Sequence, residues 1–169
     1  METITEKQVK EKIYSLEDAS AQVKKWQADG DKVVFTNGCF DLLHLGHITY
    51  LAEAASLGNK LVVAINSDAS VKRLKGSNRP INNEVSRGIM LACFFFIDAI
   101  VVFDEDTPLE TINSIMPDIL VKGGDYTIPE IVGAVEVMAN GGTVEVLQFV
   151  PGYSSTNIIN RIRNGAEAG

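Results

Sequence analysis

Cysteine is scarce: Cys39 and Cys93 are the only two in 169 residues. They form neither a CxxC pair nor a Cys/His pattern of zinc-binding spacing, which argues against a disulfide framework and a structural zinc and for a reducing compartment. No apolar run reaches membrane-spanning length; Ile89 to Ile97 falls far short of the roughly 20 residues a spanning helix needs. Met1 to Ile13 is too polar to hold a signal-peptide core, so a cytoplasmic protein is expected. Positive charge is also in deficit, 15 Lys and Arg against 22 Asp and Glu for a net charge of −7. That balance excludes a duplex-coating nucleic-acid binder and a polybasic membrane binder as the simple readings, and any anion site must be local. What remains, 46% hydrophobic and 22% charged residues, suits one globular domain with a sizeable core.

Five short, β-branched apolar runs read as strands: Lys32 to Thr36, Leu61 to Ile65, Ile100 to Phe103, Ile119 to Val121 and Thr143 to Leu147. Most lack polar alternation, as parallel strands covered on both faces do. Leu16, Ala19, Val23 and Trp26 recur at helical steps between a Ser15 cap and Gly30, and Ile48, Leu51, Ala52 and Ala55 form a second stripe closed by Gly58. Further helices are expected from Asn83 to about Phe95, Leu109 to Ile115, Pro129 to Ala139 and Ser155 to Arg163. Strand and helix alternate with short connections, which predicts a single-domain, doubly wound, Rossmann-like α/β fold: a parallel five-stranded sheet with helices on both faces. Residues 1–13 read as a loosely held arm, 14–164 as the domain and 165–169 as a frayed end.

In such sheets ligands bind beyond the carboxyl ends of the strands, where strand order reverses. The segments just after the strands hold the unusual residues. Thr36-Asn37-Gly38-Cys39-Phe40-Asp41-Leu42-Leu43-His44-Leu45-Gly46-His47 follows the first strand and contains both histidines of the chain. Gly38 allows a tight exit, Gly46 close backbone approach, and a helix N-terminus near His47 offers free N–H groups: a phosphate cradle. His44 and His47 are close enough to face one anion; a metal pair and a purely structural pair are the competing readings, though HxGH lacks HExxH spacing and no carboxylate cluster adjoins it. Cys39 reads as a small buried thiol without a redox role. From Lys72 to Arg87 five basic residues (Lys72, Arg73, Lys75, Arg79 and Arg87) meet one acid, Glu84, so the stretch reads either as a solvated loop or as a mobile arm over a polyphosphate. Lys122-Gly123-Gly124-Asp125 pairs a charge with glycines that admit a ligand to the backbone, or is a simple turn. Ser154-Ser155-Thr156 is a hydroxyl-rich helix start.

HxGH after a first strand, a lysine-bearing segment after the second and a Ser/Thr helix start after the fifth resemble the cytidylyltransferase-like nucleotidyltransferase superfamily. Phe35 to His44, Asn66 to Gly76, Arg79-Pro80-Ile81, Thr107-Pro108, Pro117-Asp118, Val121 to Tyr126, Ile131 to Gly133 and Gly141-Gly142 are similar to the D-glycero-β-D-manno-heptose 1-phosphate adenylyltransferases within it. The resemblance covers about residues 12 to 163. It implies transfer of AMP from ATP to heptose 1-phosphate, giving ADP-heptose and pyrophosphate for lipopolysaccharide core synthesis, with Mg²⁺ assistance and a homodimer. Some members are fused to a sugar kinase, for which this chain has no length, so it resembles the stand-alone form. The resemblance carries the family's motifs onto His44, His47, Lys72 and Lys75, expected to be catalytic, and its nucleotide side onto Lys122 to Asp125 and Ser154 to Thr156; the residues themselves add Asn37, Gly38, Cys39, Phe40, Gly46, His47 and Arg79 to the expected nucleotide site. Asp41, Asp68 and Arg87 fall to the acceptor, with no protein metal ligands. Departures are Cys39, where Thr or Ser is common, and Ser155 within an expected STT. A cytidylyltransferase of glycerol 3-phosphate or another polyol phosphate, and a nucleotide-binding sensor without turnover, are the alternatives.

Overall fold

The computed structural model describes residues 5–165. Its strands are β1 (Ile13–Tyr14), β2 (Val33–Gly38), β3 (Lys60–Asn66), β4 (Ala99–Phe103), β5 (Ile119–Gly123) and β6 (Thr143–Leu147). The helices are α1 (Glu6–Lys10), α2 (Leu16–Ala28), α3 (Leu45–Ala55), α4 (Asp68–Lys75), α5 (Glu84–Ala92), α6 (Leu109–Ile115), α7 (Ala134–Ala139) and α8 (Ser155–Arg163), with a 3₁₀ turn at Ile128–Glu130. All strand pairings are parallel, in the order β1-β4-β3-β2-β5-β6. From β2 the chain builds outward through β3 and β4, then crosses back to lay β5 and β6 on the other side. The order therefore reverses between β2 and β5, and the crevice of a doubly wound sheet opens there.

Alternate side chains of each central strand enter different cores, as period-two geometry requires. Val33, Phe35, Val62, Ala64, Val101 and Leu120 pack with Ala19 and Val23 of α2, Ile112 of α6 and Val137 of α7. Val34, Leu61, Val63, Ile65, Ile100 and Val121 pack with Leu51 of α3 and Leu91 of α5. Both faces are covered, which is why the strands carry no polar alternation. Ser15 caps α2 through the Asp18 amide, and Gly30 follows it at φ +91°, matching the sequence signals. No helix among the described residues is long and apolar enough to cross a membrane.

The sheet has six strands, not the five expected. β1 is two residues long, too short for any periodic signal, and it joins the edge by pairing Ile13 with Ile100 and Tyr14 with Val101. An arm ending at residue 13 would cut through this strand. Within that arm, α1 is closed by a Thr5–Gln8 capping box, and Lys12 Nζ donates to the Phe94 carbonyl at 3.0 Å. Residues 1–4, and 166–169 of the expected frayed end, lie outside the described residues. Two helices are shorter than the apolar pattern suggests. Gly133, at φ +86°, breaks 129–139 into the 3₁₀ turn and α7. α5 stops at Ala92, after which Phe94 and Phe96 stack at 5.4 Å against the core while Phe95 is exposed.

Phe35 has no exposed surface and sits at the centre of one core. Phe35→Ala should lower unfolding stability by about 3–5 kcal/mol through lost transfer energy and a residual cavity. Urea denaturation checks this, and an unchanged midpoint would contradict the packing described.

Candidate functional site

The carboxyl ends of β2, β3 and β5 meet in a cleft with two lobes. The first, about 350 Å³, is lined by His44, His47, Arg79, Phe149, Tyr153 and Ser154–Thr156. The second, about 550 Å³, is lined by Asn37, Asn66, Asp106, Thr107, Lys122, Tyr126 and Glu130. Cys39 and Lys75 border both. Phe40, beside the histidines, belongs to the α3/α5 core, whereas Phe103, Leu120 and Ile131 of the second lobe belong to the α2/α6/α7 core. The lobes thus lie on opposite faces of the sheet and join over its edge.

His44 is the N-cap of α3, so the helix starts at Leu45 rather than near His47. Its Nδ1 accepts the His47 amide at 3.4 Å, which leaves Nε2 to carry the proton. The two imidazoles stack at 3.8 Å with planes 16° apart, and Phe40 meets His47 edge-on at 5.3 Å. Burial, then the neighbouring His44 and Lys75, pushes the His47 pKa from 6.5 to about 4, against an opposing pull from the Leu42 carbonyl; burial also lowers that of His44. Both rings are therefore neutral donors at neutral pH. His47 Nδ1 is buried with no hydrogen-bond partner, the kind of atom a bound ligand satisfies.

The tight spacing of HxGH has a local cause. A Cβ on Gly46 would lie 3.0 Å from Tyr153 Cβ and 3.2 Å from His44 Nδ1, so glycine lets α8's leading segment close over α3. Phe40 adopts φ +45°, a conformation that side chains seldom take, and its ring covers Gly38. In the Ser/Thr start, Ser154 caps α8 through the Asn157 amide, Ser155 Oγ donates to the Leu42 carbonyl at 2.9 Å, and Thr156 makes no such tie and lines the histidine lobe.

The basic stretch is not a free arm. Lys72, Arg73 and Lys75 form the last turn of α4, a helix signalled by the Ser67 cap, the acid at its start and Gly76 at its end. Arg73 is held by Asp104 and Asp106. Asp41 pins the following loop, accepting from Arg79 Nε at 2.6 Å and from the Ile81 and Asn82 amides. Burial pulls the Asp41 pKa up, but these bonds outweigh it and hold the carboxylate below its usual range. Lys75 reaches both lobes, whereas Lys72 lines a separate surface cleft with Asp68, Glu84 and Asp104. The expected catalytic pair is therefore divided.

Arg87, expected beside the acceptor, has no exposed surface. It donates to the carbonyls of Asn82, Cys39 and Asn66 and to Asp68 Oδ1, at 2.7–3.0 Å. Helical register buried it, and neither Arg87 nor its partner Asp68 lines a lobe. Lys122 Nζ donates to Asn37 Oδ1 at 3.3 Å across the β2/β5 reversal and lies 5.8 Å from the Tyr126 ring, in the second lobe rather than with the histidines; burial lowers its pKa. Gly123 and Gly124 lie under Phe149, and Asp125 is exposed. Burial raises the Cys39 pKa despite Lys75, Arg87 and Arg79, so its thiol stays protonated. Phe149 and Tyr153 line the cleft although no sequence motif singled them out, and Asn66, which opens the Asn66 to Gly76 segment, lines it without having been a candidate by itself. Among the described residues no group of three or more His, Cys, Asp or Glu gathers as metal ligands, and Asp41 is already committed to the 79–82 loop.

A parallel α/β domain with stacked neutral imidazoles at a glycine-bearing helix start, beside a cationic rim, defines the class of phosphate-handling nucleotide domains. The family model described as cytidylyltransferase-like matches residues 35–161, and the chain belongs to that family. It is 56% identical over 149 residues to "Bifunctional protein HldE" of Marinomonas sp. (strain MWYL1), covering 88% of this chain and 31% of that protein. The protein of the same name from Haemophilus influenzae (strain PittEE) is 57% identical over 148 residues, covering 88% of this chain and 30% of its own length. The chain thus spans about a third of the length of these relatives. Among solved structures, the lipopolysaccharide core biosynthesis protein from Thermoplasma volcanium GSS1 superposes with a TM-score of 0.59 at 32% identity, covering 72% of this chain and 98% of that one. The pantoate-beta-alanine ligase from Francisella tularensis, 12% identical with a TM-score of 0.56 over 90% of this chain and 77% of its own, shares the fold.

The half-buried, neutral His47 predicts a pH signature. The unfolded chain takes up this proton near pH 6.5 and the folded one only near pH 4, so the stability contribution is present above pH 6.5 and is lost as pH falls toward 4. Across that window wild type should lose more stability than His47→Asn. Urea midpoints measured at several pH values check this, and parallel profiles would contradict the burial of the ring.

Proposed function

We propose that this domain transfers AMP from ATP to D-glycero-β-D-manno-heptose 1-phosphate, giving ADP-heptose and pyrophosphate for lipopolysaccharide core synthesis. The observation that carries the chemistry is the stacked pair of neutral imidazoles in one lobe, joined to a second lobe through Lys75. Identity with the HldE proteins and with the Thermoplasma lipopolysaccharide core protein supports the heptose acceptor.

A sugar phosphate has a second pKa of about 6 and is largely dianionic at neutral pH, so it needs no general base. One of its oxygens bonds to the α-phosphorus of ATP while the bond to the bridging α–β oxygen breaks, and the electron pair leaves with pyrophosphate. The obstacle is repulsion between anions, which oriented donors and cations relieve. In this reading His44 Nε2 and the His47 ring donate to the triphosphate in the first lobe, with Thr156 and the amides at the start of α8 alongside. The acceptor occupies the second lobe, where Asn37, Asn66 and Lys122 present polar groups to its hydroxyls. Lys75, at the junction, faces both anions. Lys72, three residues earlier on α4, opens on a separate surface cleft and does not share this work, and Arg87 acts by holding the strand ends in place. Mg²⁺, if bound, would be held mainly by ATP's phosphate oxygens and water and would offset phosphate charge. The family resemblance supports a homodimer as the working form, and the composition and cysteine usage support a cytoplasmic one.

Pyrophosphate release measured with ATP and CTP against heptose 1-phosphate and glycerol 3-phosphate tests the assignment. Turnover is expected with ATP and the heptose phosphate, whereas a preference for CTP would replace it with a cytidylyltransferase. His47→Ala should reduce turnover about 10²- to 10³-fold with the fold intact, and Lys75→Ala should cost far more activity than Lys72→Ala. Equal effects of the two lysine substitutions would refute the division between them.

A further inference from the structure

Ser67, Ser70 and Arg73 recur at steps of three and so fall on one face of α4 and its cap. All three bond to the turn that follows β4. The Ser67 hydroxyl donates to the Asp104 carboxylate, and the wholly buried Ser70 hydroxyl donates to the Glu105 carbonyl at 3.2 Å. Arg73 donates to the Asp104 carbonyl and, through Nε, to Asp106 Oδ1 at 2.8 Å. Asn66 Nδ2 in turn donates to Ser70 Oγ at 3.0 Å, which ties this seam to the end of β3. The seam is a wall of the second lobe: Leu74 and Lys75 line the lobe from one side of it, and Asp106, Thr107 and Pro108 from the other. The Arg73 and Asp106 side chains are 45% and 73% exposed, and so open an ion pair adds little to stability. What the pair does is fix where a carboxylate stands. Among the described residues only Oδ1 of Asp106 is engaged, which leaves acceptor capacity on the lobe's wall.

Resting on the reading that places the acceptor in this lobe, we propose that Asp106 reads the hydroxyls of the sugar phosphate and that Arg73 is its positioning residue. A sugar phosphate has an anionic end and a hydroxyl-bearing body. Lys75 borders both lobes, whereas Asp106 borders only the second. The phosphate therefore belongs at Lys75, next to the triphosphate, and the hydroxyls turn toward Asp106. A carboxylate oxygen accepts from a hydroxyl more strongly than a neutral acceptor does. Left unpaired, it would also repel the incoming dianion. The Arg73 guanidinium offsets that charge through Oδ1 and holds the group in place. A wall built to bond a hydroxyl discriminates against an acceptor that lacks it, which makes Asp106 a determinant of acceptor preference. The bond is made alike in the ground and transition states, so it governs KM for the acceptor and leaves kcat nearly unchanged.

Steady-state pyrophosphate release by wild type, Asp106→Ala, Arg73→Ala and the double variant, with ATP and heptose 1-phosphate varied in turn, tests this. Asp106→Ala should raise KM for the sugar phosphate about 10- to 100-fold, leave kcat and KM for ATP nearly unchanged, and narrow the preference for heptose 1-phosphate over glycerol 3-phosphate. Arg73→Ala should move the same KM in the same direction. The double variant should be no worse than the poorer single one, because Arg73 acts through Asp106. Asp106→Asn, which keeps the shape of the side chain, should act in the direction of Asp106→Ala and serves as a second variant should the first fail to fold. An unchanged KM for the sugar phosphate in Asp106→Ala would overturn the proposal, as would an equal rise in KM for ATP. Independent, multiplying effects of the two substitutions would overturn the positioning role of Arg73. Wild type that uses glycerol 3-phosphate but not heptose 1-phosphate would overturn the function proposed above, yet leave this assignment standing if Asp106→Ala shows the same KM split with that acceptor; no split there would overturn both.

Discussion

The Arg87 guanidinium, with no exposed surface, binds the Cys39 carbonyl beyond β2, the Asn66 carbonyl at the end of β3, the Asn82 carbonyl of the loop before α5 and the Asp68 carboxylate at the start of α4. Parallel strands leave their last carbonyls without ladder partners at the edge where a ligand binds. A buried cation with a rigid fork of donors satisfies several of them at once and fixes their relative positions. The half of the cleft built from β2, β3 and the segments after them is set by these four segments. Phe40 and Asp41 follow Cys39, Lys75 sits two turns beyond Asp68, and Arg79 leads into the loop that Asp41 and Arg87 hold from both ends.

Charge is organised at two depths around this point. Arg87, Arg79 and Arg73 are each engaged by carboxylates, the first two inside the fold and Arg73 at the surface. Among the described residues neither Lys72 nor Lys75 has an ion-pair partner, and only Lys75 faces the cleft. The histidines complement it. Stacked at 3.8 Å and partly withdrawn from water, they stay neutral, so the lobe presents donors without the desolvation cost of two more fixed charges. An acidic chain thereby keeps one local rim suited to anions.

The strand–helix alternation, the capped start of α2, the glycine-bearing histidine turn and the paired glycines after β5 were all legible from residue order, because each depends on local chemistry: periodicity, a side-chain cap or a required close approach. Misreadings fell where the deciding partner is distant in sequence. β1 exists because Ile100 and Val101 lie beside it. The 76–83 loop is pinned because Asp41, about 40 residues away, accepts its amides. Phe149 lines the cleft only because its ring lands beside Gly123.

The order of residues alone determined the doubly wound class and the edge of the sheet that bears the chemistry, since covered parallel strands and post-strand glycines leave few other arrangements. Tertiary structure decided which of several similar cations face a ligand. Lys72 and Lys75 differ by less than one helical turn of α4, and it is the rotation of α5 that buries Arg87, while Arg79, in the loop before it, lines the histidine lobe. Those rotations are fixed by packing against β3 and β4, and no local pattern records them.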